Sequence, residues 1–256
     1  MQTMLAVQMY TLRALTQTAE GIEECFKKIE EMGYKAVQMS AWGPVDDAVV
    51  KDLADRYHLE ICATHIPYDR IVAHTDEVIA QHKTFQCPYV GLGMMPREFL
   101  GSEEGFHTFA RNIAPAAKAI HDAGLTFIYH NHNFEFARFG NKTGMDLLME
   151  DTDPETFQFE LDTYWVTAGG GDPADWIRKL QGRMDVVHFK DMVYVPELSA
   201  STYAPIGEGN LNWQRIIPAC GEIGARWHII EQDECRRDPF DCLASSLHYL
   251  QRMGLR

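Results

Sequence analysis

Tyr129-His130-Asn131-His132-Asn133-Phe134-Glu135 carries two imidazoles and a carboxylate within a few residues, directly after the apolar run Leu125-Thr126-Phe127-Ile128. A β-strand turns alternate side chains to one face, so His130 and His132 look the same way. Glu135 falls past the strand end, where the chain must turn. Two imidazoles with a carboxylate nearby suit a hard or borderline divalent cation. Alone, the stretch is equally well explained as two histidines satisfied by hydrogen bonds at a strand end. Asp162, His188 and Glu231 shift that balance, because each directly follows an apolar strand core. Buried carboxylates are costly unless they are paired or coordinate a cation. A single divalent ion would resolve all of these residues together.

The elements that must position them follow from periodicity. Strands are predicted at Met4–Met9, Ala36–Met39, Glu60–His65, Tyr89–Gly93, the stretch from Leu125 through Tyr129, Phe157–Asp162, Asp185–Phe189 and Trp227–Glu231. Helices are predicted between them, over Thr18–Met32, Val45–Tyr57, Ile71–Phe85, Ser102–Ala123, Asp146–Glu150, Pro173–Gln181, Trp213–Ile223 and Pro239–Met253. Thr18 is a natural N-cap, Gly33 a natural stop, and Pro173 sits in a first turn. Strict strand–helix alternation with no linker implies one domain over residues 1–256, a closed parallel (β/α)8 TIM barrel. There is no G-x-G-x-x-G or Walker pattern, and Gly169-Gly170-Gly171 after the sixth strand reads as a flexible active-site loop. Active sites of such barrels lie at the C-terminal strand ends. Those ends carry Gln8, Gln38, His65, His130 with His132 and Glu135, Asp162, His188 and Glu231, and only the fourth strand lacks such a group.

Composition narrows the class of function. The net charge of −14 over 256 residues lacks the basic footprint that nucleic acid requires and leaves small neutral or metal-chelating substrates. Six cysteines stand singly without C-x-x-C pairs, which fits reduced core thiols and a cytoplasmic protein. Met1-Gln2-Thr3-Met4 has no basic n-region, and no apolar run reaches the length of a membrane span.

Several motifs taken together resemble the xylose-isomerase-like TIM-barrel superfamily of sugar isomerases and epimerases, which also holds inosose dehydratases and endonuclease IV. They are Val7-Gln8-Met9-Tyr10-Thr11-Leu12-Arg13, Tyr129-His130-Asn131-His132 with Phe134-Glu135-Phe136, Glu160-Leu161-Asp162-Thr163, His188-Phe189-Lys190-Asp191, Gly207-Glu208-Gly209 and Glu231. They run through nearly the whole chain in order. The resemblance implies one divalent metal (Mn, Mg, Co or Zn) held by Glu, Asp, His and Glu at the ends of strands five to eight. Asp162, His188 and Glu231 match the last three ligands. On strand five the expected glutamate falls on His130, so either His130 replaces it or Glu135 reaches back to supply the carboxylate. The reading leans to Glu135, which leaves the histidines for proton transfer.

The implied activity is isomerisation, epimerisation or dehydration of a keto-sugar, keto-glycoside or cyclitol through an enediolate. Glu231 would abstract the α-proton and His130 or His132 would return one, while His65, Lys190, Gln38 and Trp165 would bind substrate. Unlike bases on strands five and eight suit elimination of water at least as well as a symmetric epimerisation. The alternatives are an endonuclease IV-like repair enzyme, disfavoured by charge, and a non-catalytic sugar-binding barrel. Relatives in the superfamily are often homo-oligomers, and no interface can be read from this chain.

Overall fold

The computed structural model describes residues 4–256, and Met1 to Thr3, part of the N-terminal reading above, lie outside the described residues. Eight parallel strands close into a barrel in chain order: β1 (Met4–Gln8), β2 (Ala36–Met39), β3 (Glu60–His65), β4 (Tyr89–Leu92), β5 (Thr126–His130), β6 (Phe157–Asp162), β7 (Val186–Phe189) and β8 (Trp227–Ile230). Pairing of Met4 with Trp227 and Val7 with Ile230 joins β8 to β1 and removes any open edge. The surrounding helices are α1 (Ala19–Met32), α2 (Asp47–Arg56), α3 (Thr75–Phe85), α4 (Glu103–Asp122), α5 (Gly144–Asp151), α6 (Pro173–Lys179), α7 (Trp213–Ile223) and α8 (Pro239–Arg252). Among the described residues, no helix is long and apolar enough to cross a membrane.

Local chemistry sets the helix ends. The Thr18 hydroxyl accepts from the Gly21 N–H to start α1, and Gly33, at φ +103°, ends it in the left-handed region that glycine adopts freely. Thr143 and Asp146 form a reciprocal capping box that opens α5. The predicted Ile71–Phe85 helix is two pieces, Tyr68–Ala73 and α3, because His74 leaves the helical region at φ −132°. Among the elements outside the sequence reading, two lie near the barrel mouth. Asp162 caps a short helix, Thr163–Ala168, and Asp191–Val195 pairs antiparallel with Ala200–Ala204 as a hairpin beside the barrel mouth.

The period of two divides the side chains between two cores. Val187, Phe189 and Ile230 face the helices, whereas Ala6, Ala36, Cys62, Tyr89, Ile128, Val186, Trp227 and Ile229 pack inside the barrel. That inner layer is the floor on which the polar residues nearer the C-terminal ends rest. Glycines near the mouth serve packing. A Cβ on Gly169 would come 2.6 Å from the Phe136 ring, and one on Gly171 would lie 2.9 Å from Trp176 Nε1. The glycine run is therefore a packed turn and not the flexible active-site loop expected. Gly207-Glu208-Gly209 wraps the Asp191 carboxylate, which accepts from the N–H groups of Gly207 (2.9 Å), Gly209 (3.2 Å) and Leu211 (3.2 Å) and from Trp213 Nε1 (2.7 Å).

His228 is an exception on the outer face of β8. Its ring stacks on Phe189 at 4.6 Å, and both ring nitrogens are buried without a partner. Burial lowers its pKa from 6.5 to about 4. The folded state therefore favours neutral imidazole. Its stabilising share is full above about pH 6.5 and falls away as pH drops towards 4, by roughly 3 kcal/mol. His228→Phe keeps the stack and removes the stranded nitrogens, each costing about 1–3 kcal/mol, against some overpacking. The variant is expected to melt a few degrees higher at pH 7 and to lose less stability than the parent between pH 6.5 and 4. A lower melting temperature at both pH values, read by calorimetry, would contradict this account.

Candidate active site

His130, Asp162, His188 and Glu231 sit at the ends of β5, β6, β7 and β8, and each is buried. They face inward because Ile128, Glu160, Val186 and Ile229, two residues earlier on the same strands, do so. One ligand atom from each of the four lies within 4.8 Å of the others.

The hydrogen bonds fix the direction of each imidazole. His130 Nδ1 donates to the Gly93 carbonyl at 3.0 Å, which leaves Nε2 bare and 3.3 Å from Asp162 Oδ2 and 4.0 Å from Glu231 Oε2. His188 Nε2 donates to Gln38 Oε1 at 2.6 Å and lies 3.1 Å from Glu160 Oε1. Its Nδ1 faces Glu231 Oε2 at 2.9 Å and Asp162 Oδ2 at 3.9 Å. Ring nitrogens and carboxylate oxygens thus converge lone pair to lone pair. That arrangement is repulsive unless a proton or a cation lies among them. Anchoring the far imidazole nitrogen on a carbonyl or carboxylate is how metal-ligating histidines are oriented. The donor set therefore fits a divalent cation.

The surrounding charge agrees. Lys190, almost fully buried, places Nζ 3.2 Å from Asp162, 2.9 Å from Glu231 and 2.7 Å from Asp233. Glu160 lies beneath them, its Oε2 2.6 Å from His65 Nε2 and its Oε1 accepting from Gln38 at 2.8 Å. Asp162, Glu231 and Asp233 thus share a single ammonium, while Glu160 faces the His65 and His188 rings. Burial opposes charging His188, yet the Glu160 and Glu231 carboxylates outweigh it and raise its pKa to about 10. Burial likewise opposes the Lys190 charge, and the adjoining carboxylates raise its pKa well above the usual lysine value. Burial would push Glu231 up, but Lys190 and His188 hold it well below the usual carboxylate range. His132 is different: burial, with His130 and Lys190 adding to it, drives its pKa down to about 2, so it stands neutral.

Glu135 is not part of this group. Strand alternation turns Tyr129 away from His130, and the 3-10 turn Phe134–Phe136 folds Glu135 back to Tyr129's side. There the carboxylate accepts from the Tyr129 hydroxyl at 2.5 Å and the His132 N–H at 2.9 Å, and burial raises its pKa to about 7. The position expected of Glu135 is held by His130. Gln38 is also relocated: fully buried, it bonds Gln8, Glu160 and His188, so its amide steadies His188 and does not meet a ligand.

His65, His130, His132, Lys190, Glu231 and Asp233 line one end of a cavity of about 870 Å³ at the barrel mouth. His132 packs between Phe134 (5.3 Å, stacked) and Trp165 (5.0 Å), and His132 Nδ1 and Trp165 Nε1 are buried without partners. Glu160 and Asp233 were missed in the sequence. Each stands two residues from a recognised ligand position, on the same side of its strand or strand extension, and that spacing was the available signal.

Comparison with known proteins agrees with this architecture. An inosose dehydratase from Lacticaseibacillus casei is 22% identical over 274 residues, covering 90% of each chain. A solved sugar phosphate isomerase/epimerase from Parabacteroides distasonis superposes with a TM-score of 0.82 at 22% identity over 98% of both chains. An L-ribulose 3-epimerase superposes at 0.77 with 17% identity, covering 99% of this chain and 95% of its own. Residues 26–253 match the profile of the xylose isomerase-like TIM barrel. With the barrel closed in the same way, the chain belongs to that family.

Proposed function

We propose that the protein is a divalent-metal-dependent dehydratase of a polyhydroxylated ring ketone, a keto-sugar or a cyclitol ketone. The observation that carries this reading is the convergence of His130, Asp162, His188 and Glu231 on one point at the polar end of an open cavity. Likeness to inosose dehydratases supports the substrate class. The unlike groups facing the cavity, the Glu231 carboxylate and the His130 and His132 imidazoles, favour elimination over a symmetric epimerisation.

A metal bound by those four side chains would supply Lewis-acid polarisation of the substrate carbonyl. Glu231 takes the proton α to the carbonyl as that C–H bond breaks. The Lys190 ammonium, in the same cavity wall, donates to the oxygen on which negative charge grows. The neighbouring C–O bond then breaks with its electrons, and the oxygen leaves as water on taking a proton through the His132 imidazole. His132 regains from solvent the proton it passes on, and Glu231 releases its own to solvent at the end of the turnover, so the net loss is one water. His132 suits such a relay, since it lines the cavity and stands neutral.

NMR of the protein with Mn²⁺, in D₂O with inosose and with ketohexoses, separates the reactions. Loss of water is the expected result, whereas solvent exchange at the α-carbon without water loss would replace dehydration with epimerisation. Glu231→Gln is expected to lower turnover at least about a thousandfold while circular dichroism stays native. A variant retaining a tenth of the activity would remove Glu231 from the role of base.

A second expectation concerns the ion itself. Two carboxylates with two imidazoles form a more nitrogen-rich set than three carboxylates with one, and imidazole favours Zn²⁺ or Co²⁺ over Mg²⁺. His130→Glu should therefore lower the ratio of Zn²⁺ to Mg²⁺ affinity by about tenfold or more, measured by titration calorimetry on the chelator-stripped protein. An unchanged ratio would place His130 outside the coordination sphere.

A further inference from the structure

The cavity is much larger than its catalytic end, and its two ends differ in chemistry. At about 870 Å³ it lies in the upper part of the range for drug-sized ligands, roughly 300–1,000 Å³, beyond what one sugar ring requires. His130, His132, Lys190, Glu231 and Asp233 gather against β5 to β8. The opposite wall, over β2 to β4, is built of Trp42, Pro44, Ile66, Tyr68, Leu92 and Met94. Three polar side chains of this wall, Asp47, Arg70 and Gln81, are bonded among themselves. Gln81 donates to Asp47 at 2.6 Å and accepts from Arg70 at 3.2 Å. A second sugar ring would need partners for several hydroxyls there, and hydroxyls left unpaired in a buried wall are costly. The flat faces of Trp42, Tyr68 and Pro44 suit instead a planar apolar group.

Resting on the reaction class proposed above, we infer that the substrate carries an aromatic substituent. Its ring ketone would lie at the His130–Glu231 end, and an aryl aglycone would fill the compartment walled by Trp42 and Met94. This compartment is continuous with the reacting end, so one molecule spans both. Trp42 is a fixed surface, packed edge-on against Phe85 at 6.3 Å, while Met94 is 46% exposed at the mouth and closes the outer side with an adaptable chain. Trp42 and Met94 are thus specificity-determining residues that touch no reacting atom.

Titration calorimetry with the Mn²⁺-supplied protein tests this without turnover, using phenyl, methyl and hexyl β-D-glucosides and cellobiose as probes. Burying a phenyl ring is worth roughly ten- to a hundredfold in affinity, so phenyl glucoside should bind at least about tenfold tighter than the methyl glucoside. It should also outbind hexyl glucoside and cellobiose. The phenyl-to-methyl ratio should fall at least about fivefold in Trp42→Ala. It should fall likewise in Met94→Glu, where a carboxylate at an exposed position leaves folding intact. Equal binding of phenyl and methyl glucosides, tighter binding of cellobiose or hexyl glucoside, no measurable phenyl glucoside binding, or an unchanged ratio in Met94→Glu would each overturn the inference. Because no bond is broken, failure of the dehydratase reading leaves these outcomes readable. Water loss from inosose without any phenyl preference would retain that reading and discard this one.

Discussion

The site depends on an electrostatic constraint: carboxylates outnumber cations among side chains that are almost wholly buried at the barrel mouth. Asp162, Glu231 and Asp233 share the Lys190 ammonium, Glu160 faces His65 and His188, and His130 Nε2 and His188 Nδ1 point at carboxylate oxygens. Such an arrangement is expensive in an apolar barrel, where charge is poorly screened. Protonation of His188 relieves part of it, and a dication relieves more. The need for positive charge at this point is written into the fold, because strand alternation gives these side chains no other direction.

The layers beneath and beside that point make the arrangement rigid. Gln8 donates to Gln38 at 2.9 Å, Gln38 donates to Glu160, and Glu160 reaches both His65 and His188, so an inward polar tier sits on the apolar floor of Ala6, Ala36, Ile128 and Trp227. Asp191, directly after Lys190, is spent on backbone N–H groups of the Gly207–Leu211 turn. That turn follows the hairpin whose Tyr203 packs against Tyr164 at 4.6 Å. One residue of the Lys190-Asp191 pair thus faces the site while its neighbour ties down the turn beside the mouth. Fully connected polar networks of this kind specify a geometry that an apolar core would leave loose.

The barrel was legible because its signals are local: eight apolar runs, each followed by a helix, leave few other architectures. Asp162, His188 and Glu231 were legible for the same reason, as polar residues ending apolar strands. Glu135 was misread because sequence distance does not show which way a turn folds back, and only the Tyr129 hydroxyl and His132 N–H reveal its destination. Gln38 stood at the right strand end but too deep, since partners across the barrel, Glu160 and His188, decide whether an amide meets solvent. Glu160 was hidden inside a strand core, and the hairpin after Lys190 has no hydrophobic alternation strong enough to announce itself. Each of these depends on contacts between residues far apart in the chain.

His130 connects the charge constraint to the chemistry. A glutamate in its place would add a further negative charge to the cluster and an oxygen base on the face opposite Glu231, and two like bases can pass a proton between faces of a planar intermediate. An imidazole held at Nδ1 by the Gly93 carbonyl adds no charge and, once its Nε2 is engaged, has no proton to exchange. On the proposed reading the reacting groups are then unlike, the Glu231 carboxylate beside Lys190 and neutral His132 beside Trp165. A site so divided removes a proton from one position more readily than it returns one to the same carbon from the opposite face. Loss of a neighbouring hydroxyl is the outlet that a ring ketone offers. On the reading proposed for this site, an imidazole in place of a carboxylate on strand five bears on charge balance, metal preference and the direction of reaction together.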